Sequence, residues 1–139
     1  MKLINTIATH LAKQQKRSVT EKGCAYRGDG GTMCAVGCLI PDELYTDRIE
    51  TLTYAGIMSD DVTNDIQDHL LKILVEEPFT DAGAFEFYSA VQQFHDGVNY
   101  ENCIDFPVFK QASEEKQIEM VKKALIEFLI FKGIKVHRV

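Results

Sequence analysis

Four cysteines, four histidines and a glycine-rich loop flanked by arginine are the groups in this chain able to do chemistry. Cys24, Cys34, Cys38 and Cys103 are separated by 10, 4 and 65 positions. Zinc takes a tetrahedron of ligands, usually offered in close pairs. The one close pair is Cys34-x3-Cys38. On a helical turn both thiols would share a face and could meet a metal together with Cys24 and His95. Both lie in an apolar run with no neighbouring base to stabilise a thiolate, and free cysteines behave as small buried apolar residues. Burial is therefore favoured over metal, and no cofactor is expected. A thiol nucleophile would need an imidazole base in reach. His10, His69 and His95 are the candidates, and spacing pairs none of them with a cysteine, so no catalytic residue is assigned.

The loop Arg27-Gly28-Asp29-Gly30-Gly31 offers a different chemistry. Backbone amides of such loops can hold an anion, and an arginine fork grips phosphate with two parallel hydrogen bonds. Tyr26, Arg27, Asp29, Gly30 and Gly31, with His95 from downstream, are the candidate residues for a small ligand or nucleotide. Neither G-x-x-x-x-G-K-[ST] nor G-x-G-x-x-G is present, and a tight turn accounts for the same glycines. His95 and Asp96 adjoin at a predicted helix end. Neighbours on a helix do not face one another, so Asp96 is a poor orienter for a basic His95.

Charge gives a third candidate. The chain carries 15 Lys and Arg against 21 Asp and Glu, a net charge of −6. Residues 1–40 hold six basic and two acidic side chains, whereas residues 41–101 hold two basic and fourteen acidic ones. An acidic chain lacks the cations that displace counterions from phosphate, so direct nucleic-acid binding is not expected. Within the acidic middle, Asp61, Asp65 and Asp68 recur at i, i+4 and i+7 and line one helix face. That face can dock a basic partner or simply be solvated, and it matches no calcium-loop spacing.

These groups need a scaffold, and 139 residues at 45% hydrophobic and 26% charged fit a single globular domain, 1–139. A helix is expected over 3–16, with Leu3, Ile4, Ile7, Ala8 and Leu11 on one stripe. Two strands, 24–27 and 32–36, are expected to form a hairpin around Gly28–Gly31, although Met33–Leu39 could instead open a buried helix. A short helix follows Pro41 to about residue 50, and residues 51–58 read as irregular. Ser59–Asp61 cap a helix over 61–76, which Pro78 stops, and a further helix covers 82–96 before Gly97. Residues 98–112 read as a loop broken at Pro107. The last helix starts at the Ser113 cap and carries Ile118, Val121, Leu125, Phe128 and Leu129, widened by Ile126, Ile130 and Phe131. Gly133 ends it. The fold class is thus mainly α (α+β): about four main helices with a small β-hairpin near the N-terminus. No apolar run reaches the roughly 18 residues of a membrane span. The N-terminus lacks the unbroken apolar core of a signal peptide, so a cytoplasmic location with reduced thiols is expected.

The run Cys24-Ala-Tyr-Arg, then Gly31, then Cys34-Ala-Val-Gly-Cys-Leu-Ile-Pro-Asp-Glu and Tyr45, with Gln92-x-x-His95-Asp96 far downstream, resembles a family of small phage and prophage proteins. The resemblance spans about a third of the chain and carries no catalytic site across. It implies an accessory role, acting on the host cell rather than building the virion. Together these readings point to a non-enzymatic interaction protein that engages a host protein through its acidic surface. The alternative is a ligand- or nucleotide-binding protein built on the arginine–glycine loop.

Overall fold

The computed structural model describes residues 2–15, 18–21, 23–52, 54–59, 63–75, 84–96 and 104–135, and the fold is mainly helical. Helix α1, Lys2–Gln14, buries Leu3, Ile4, Ile7, Ala8, Leu11 and Ala12. The stripe falls at the spacing that puts side chains three and four apart on one face. Gln15 ends the helix at φ +58°, two residues before the expected end. A two-residue antiparallel ladder follows, β1 (Val19–Thr20) against β2 (Gly23–Cys24), in the register Val19↔Cys24 and Thr20↔Gly23.

The next segment departs from expectation. The hairpin strands 24–27 and 32–36 are reduced to a single antiparallel bridge, Arg27↔Met33. Gly28 N–H donates to Thr32 O at 2.9 Å, while Asp29–Gly31 closes into a 3-10 turn with Gly30 and Gly31 at positive φ. Beyond the bridge the chain winds rather than extends. Cys38 N–H donates to Cys34 O at 2.9 Å, and Gly37–Leu39 is a second 3-10 turn. The buried helical alternative for this run is therefore the nearer one, cut short where Ile40 precedes Pro41 and adopts extended backbone (φ −93°, ψ 116°). The helix expected over 41–50 is a turn at Pro41–Tyr45 followed by a 3-10 helix, Asp47–Thr51. Thr46, extended at φ −137° and ψ 140°, separates the two and caps the second.

Helix α2, Tyr54–Ser59, occupies part of the stretch expected to be irregular. Helix α3, Asn64–Val75, buries Ile66, Leu70 and Leu74. The expected Asp60 and Asp61 caps, Pro78, Gly97 and the tail after Lys135 lie outside the described residues. Helix α4, Ala84–Asp96, buries Phe87, Tyr88, Ala90, Val91, Phe94 and His95. Helix α5, Phe106–Gln111, stands where a loop broken at Pro107 was expected. Asp105 accepts from Val108 N–H at 3.4 Å and Pro107 lies in the first turn, so the proline starts the helix instead of breaking it.

Helix α6, Glu114–Phe131, begins at the Ser113 cap, whose hydroxyl accepts from Lys116 N–H at 3.2 Å. It buries Val121, Ala124, Leu125, Ile126, Phe128 and Leu129. Ile130 and Phe131, expected to widen its inner face, point outward, with Phe131 80% exposed. Gly133 at φ +83° lets Ile134 fold back, its N–H donating to Leu129 O at 3.0 Å. Helix α6 packs along α1 and against α4 and α5, while α2, α3 and α4 pack on one another. The buried side chains form a cluster that takes in Cys34, Ala35 and Val36 of the wound segment. Among the described residues no helix is long and apolar enough to cross a membrane.

Candidate functional site

Arg27 sits on the bridge to Met33, and its guanidinium is held from three sides. Nη1 pairs with Asp42 Oδ1 at 2.7 Å, Nη2 donates to Ile40 O at 2.9 Å, and the carbon of the fork lies 4.2 Å from the centre of the Tyr45 ring. Asp42 is 91% exposed at its side chain and Arg27 22% exposed. An anion reaching this fork would first have to displace the Asp42 carboxylate. Asp42 and Tyr45 come from the turn that Pro41 opens and Ile40 immediately precedes it, so the local sequence after the cysteine run supplies the arginine's cage.

Glu50, on the 3-10 helix after Thr46, ties the same knot from below. Its Oε1 accepts from Tyr26 N–H at 2.8 Å, and its Oε2 accepts from Arg27 N–H at 3.0 Å and from the Tyr45 hydroxyl at 2.6 Å. Tyr26 in turn donates its hydroxyl to Leu52 O at 3.0 Å. Burial, the hydrogen bond to Glu50 and the charge of that carboxylate push the Tyr45 phenol up to about 12, with Arg27 pulling the other way. Sequence reasoning missed Glu50. Its only signal was an acid on a short polar segment, indistinguishable from the other acids of the middle region.

Other elements grip the wound segment through its backbone. Gln14 of α1 both donates to Met33 O (2.9 Å) and accepts from Met33 N–H (2.8 Å), mimicking a strand partner. His10 Nε2 meets the same carbonyl at 2.8 Å, and His69 Nε2 meets Leu39 O at 2.9 Å. A carbonyl only accepts, so both imidazoles carry their proton on Nε2. Gln92 of α4 accepts from Val36 N–H at 3.3 Å, which joins the two halves of the sequence pattern physically. The histidines considered as bases at positions 10 and 69 thus serve as clamps on main-chain carbonyls.

The thiols are placed alike. Cys34 is fully buried, and its sulfur accepts from Gly37 N–H at 3.1 Å. Cys38 donates to Ala35 O at 3.1 Å. Burial, reinforced by the neighbouring Cys34, pushes the Cys38 thiol from 9.0 to about 12, against the pull of a backbone hydrogen bond. Among the described residues no three His, Cys, Asp or Glu side chains gather as a metal site. The Cys24 side chain and Cys103 lie outside them. A thiol with this pKa is a poor nucleophile at neutral pH. At pH 8 its thiolate is about a thousandfold scarcer than that of an ordinary cysteine, and higher intrinsic reactivity returns about twentyfold of this. Cys38 is expected to alkylate with iodoacetamide about fiftyfold more slowly than a free thiol, with a rate still rising tenfold per pH unit above pH 9. Peptide mass spectrometry after timed quenching reads this directly, and rapid labelling of Cys38 at pH 7 would refute it.

The remaining candidates do not join Arg27 in an open cleft. His95 is buried in the core at 3% exposure, whereas Asp29, Gly30 and Gly31 face solvent. Asp65 and Asp68 are exposed on the outer face of α3, and Asp61 lies outside the described residues. The chain matches no protein-family model, no curated protein and no solved structure. The conspicuous residues of 23–45 fix one another and the backbone, and free charge is left on the surface.

Proposed function

We propose that this chain is a non-enzymatic interaction protein, an accessory factor of phage type that binds a basic surface on a host protein in the host cytoplasm. The observation that carries the reading is the fate of the chemistry-bearing groups. Arg27 is held by Asp42, Ile40 O and Tyr45, Cys34 is buried in the core, burial pushes the Cys38 thiol up, and His95 is buried. Asp65 and Asp68 are exposed on α3, with the exposed Lys72 one turn beyond Asp68, and both acids belong to the stretch 41–101, which holds fourteen acidic side chains against two basic ones. A complementary charged surface accelerates encounter and selects partners by sign.

The test is retention of proteins from a bacterial lysate on the immobilised chain at about 50 and 500 mM salt, where screening lengths differ about threefold. The expected result is a partner held at low salt, released at high salt, and lost by the double variant Asp65→Lys, Asp68→Lys. Retention of nothing at any salt, or of the same partner by the charge-reversed variant, overturns the reading. The nucleotide alternative at Arg27 would have to pull Asp42 off its 2.7 Å ion pair.

A further inference from the structure

A cleft between the start of α1, the 37–39 turn and α3 is used by none of these assignments. Its volume is about 190 Å³. Leu3, Leu39 and Ile73 give it apolar walls, Cys38 and His69 close it, and Lys2 and Thr6 stand at α1's side. An apolar cavity of about 150 Å³ holds benzene, so this one has room for a body of about eight non-hydrogen atoms.

Hydrogen bonds within the chain fix three of the lining residues. His69 Nε2–H is held on Leu39 O at 2.9 Å, Cys38 donates to Ala35 O at 3.1 Å, and Thr6 donates its hydroxyl to Lys2 O at 2.9 Å. A preformed cleft does not charge its ligand for ordering loops or side chains. Among the described residues the lining contains a cation, Lys2, and no carboxylate. One ammonium with no arginine fork or cluster of amides suits a single negative charge rather than a phosphate dianion, which calls for several donors. Cys38, held protonated, adds a neutral, polarisable wall to the apolar surfaces.

We propose that this cleft binds a small monocarboxylate with a compact apolar body, the carboxylate at the Lys2 ammonium and the body between Leu3, Leu39 and Ile73. The test titrates the full chain with benzoate and, separately, with neutral benzamide, following backbone amide signals by NMR. Saturable shifts at Thr6, Cys38 and His69 are expected with benzoate at about millimolar half-saturation, the range of small fragments, and much weaker ones with benzamide. Lys2 is exposed, so Lys2→Met leaves the fold intact and is expected to weaken benzoate about fivefold, with Lys2→Arg restoring most of it. Benzamide binding as tightly as benzoate, an unchanged affinity in Lys2→Met, or no saturable shift at these three residues overturns the proposal.

Discussion

Gly37→Ala is expected to cost about 4 kcal/mol of stability, a large share of the roughly 5–15 kcal/mol that holds a domain of this kind folded. A Cβ at position 37 would stand 2.0 Å from Tyr26 O, 2.8 Å from Tyr26 C and 3.1 Å from Tyr26 Cα. These are backbone atoms, so no rotamer change relieves the overlap. Relief requires the wound segment to separate from residue 26 by more than an ångström. That movement would pull on Cys34 N–H, which donates to the same Tyr26 carbonyl at 3.1 Å, and on the Glu50 contacts to Tyr26 and Arg27 just beyond it. Overpacking alone costs about 1–3 kcal/mol, and buried hydrogen bonds left unmade add to it. For a chain of this length the loss corresponds to a fall in melting temperature of about 15 °C. Gly31→Ala is the internal control. Its Cβ meets nothing within 4 Å, but its φ is +76°, so only the left-handed penalty of about 1–2 kcal/mol applies. Urea unfolding of both variants checks the contrast, and a Gly37→Ala protein within about 1 kcal/mol of wild type would refute the close-approach argument.

The same glycine shows where the sequence stops being legible. The four long helices were readable because periodicity is local. Leu3, Ile4, Ile7, Ala8 and Leu11 announce a buried face within nine residues, and the face is buried. The Ser113 cap and the Gly133 stop are equally local signals. Gly37 has no such signal, because what it must accommodate is Tyr26 O, eleven positions earlier. In the sequence it is one residue of the apolar run Met33–Leu39, with nothing to set it apart. The hairpin over 24–36 stops short for a related reason: Arg27 and Met33 pair as it requires, but Gln14 of α1 occupies the other edge of Met33 and Cys34–Leu39 winds into the core instead of extending. Pro107 was misread from information that was present. Asp105-Phe106-Pro107 is a cap followed by a proline in the first turn, which starts a helix. Ile130 and Phe131 were assigned inward by hydrophobicity, but both side chains are exposed. Of the candidate site, the residue types were visible and their use was not. Arg27 could be a phosphate grip or a strut, and only the positions of Asp42 and Tyr45 decide it.

Glu50 supports the second large effect. Its two oxygens receive three donors, two of them backbone amides that are otherwise left in a partly buried setting. Hydrogen bonds to a charged acceptor are worth about 1.5–3 kcal/mol each, and stranded donors carry their own desolvation penalty. Glu50→Ala is expected to lose about 3–4 kcal/mol. Glu50→Gln keeps one acceptor oxygen but turns an amide N–H toward a donor, and is expected to lose about 2 kcal/mol. A purely steric role for residue 50 predicts almost no loss in the isosteric variant, so equilibrium unfolding of Glu50→Gln separates the two accounts. The titration of Tyr45 gives an independent readout. Its phenol is pushed from 10.0 to about 12 by burial first and then by Glu50, so the folded state favours the protonated form. The stability it contributes is complete below pH 10 and is lost as pH rises toward 12. Glu50→Gln removes the carboxylate charge while its amide oxygen can still accept from the Tyr45 hydroxyl, so one cause that raises the phenol is lost and Tyr45 is expected to ionise at a lower pH than in wild type. The difference in ultraviolet phenolate absorbance against matched Tyr45→Phe proteins isolates that one residue. If the Tyr45 midpoint stays near 12 in Glu50→Gln, the carboxylate is not what holds the phenol protonated, and the knot that joins Tyr26, Arg27 and Tyr45 would have to be explained by packing alone.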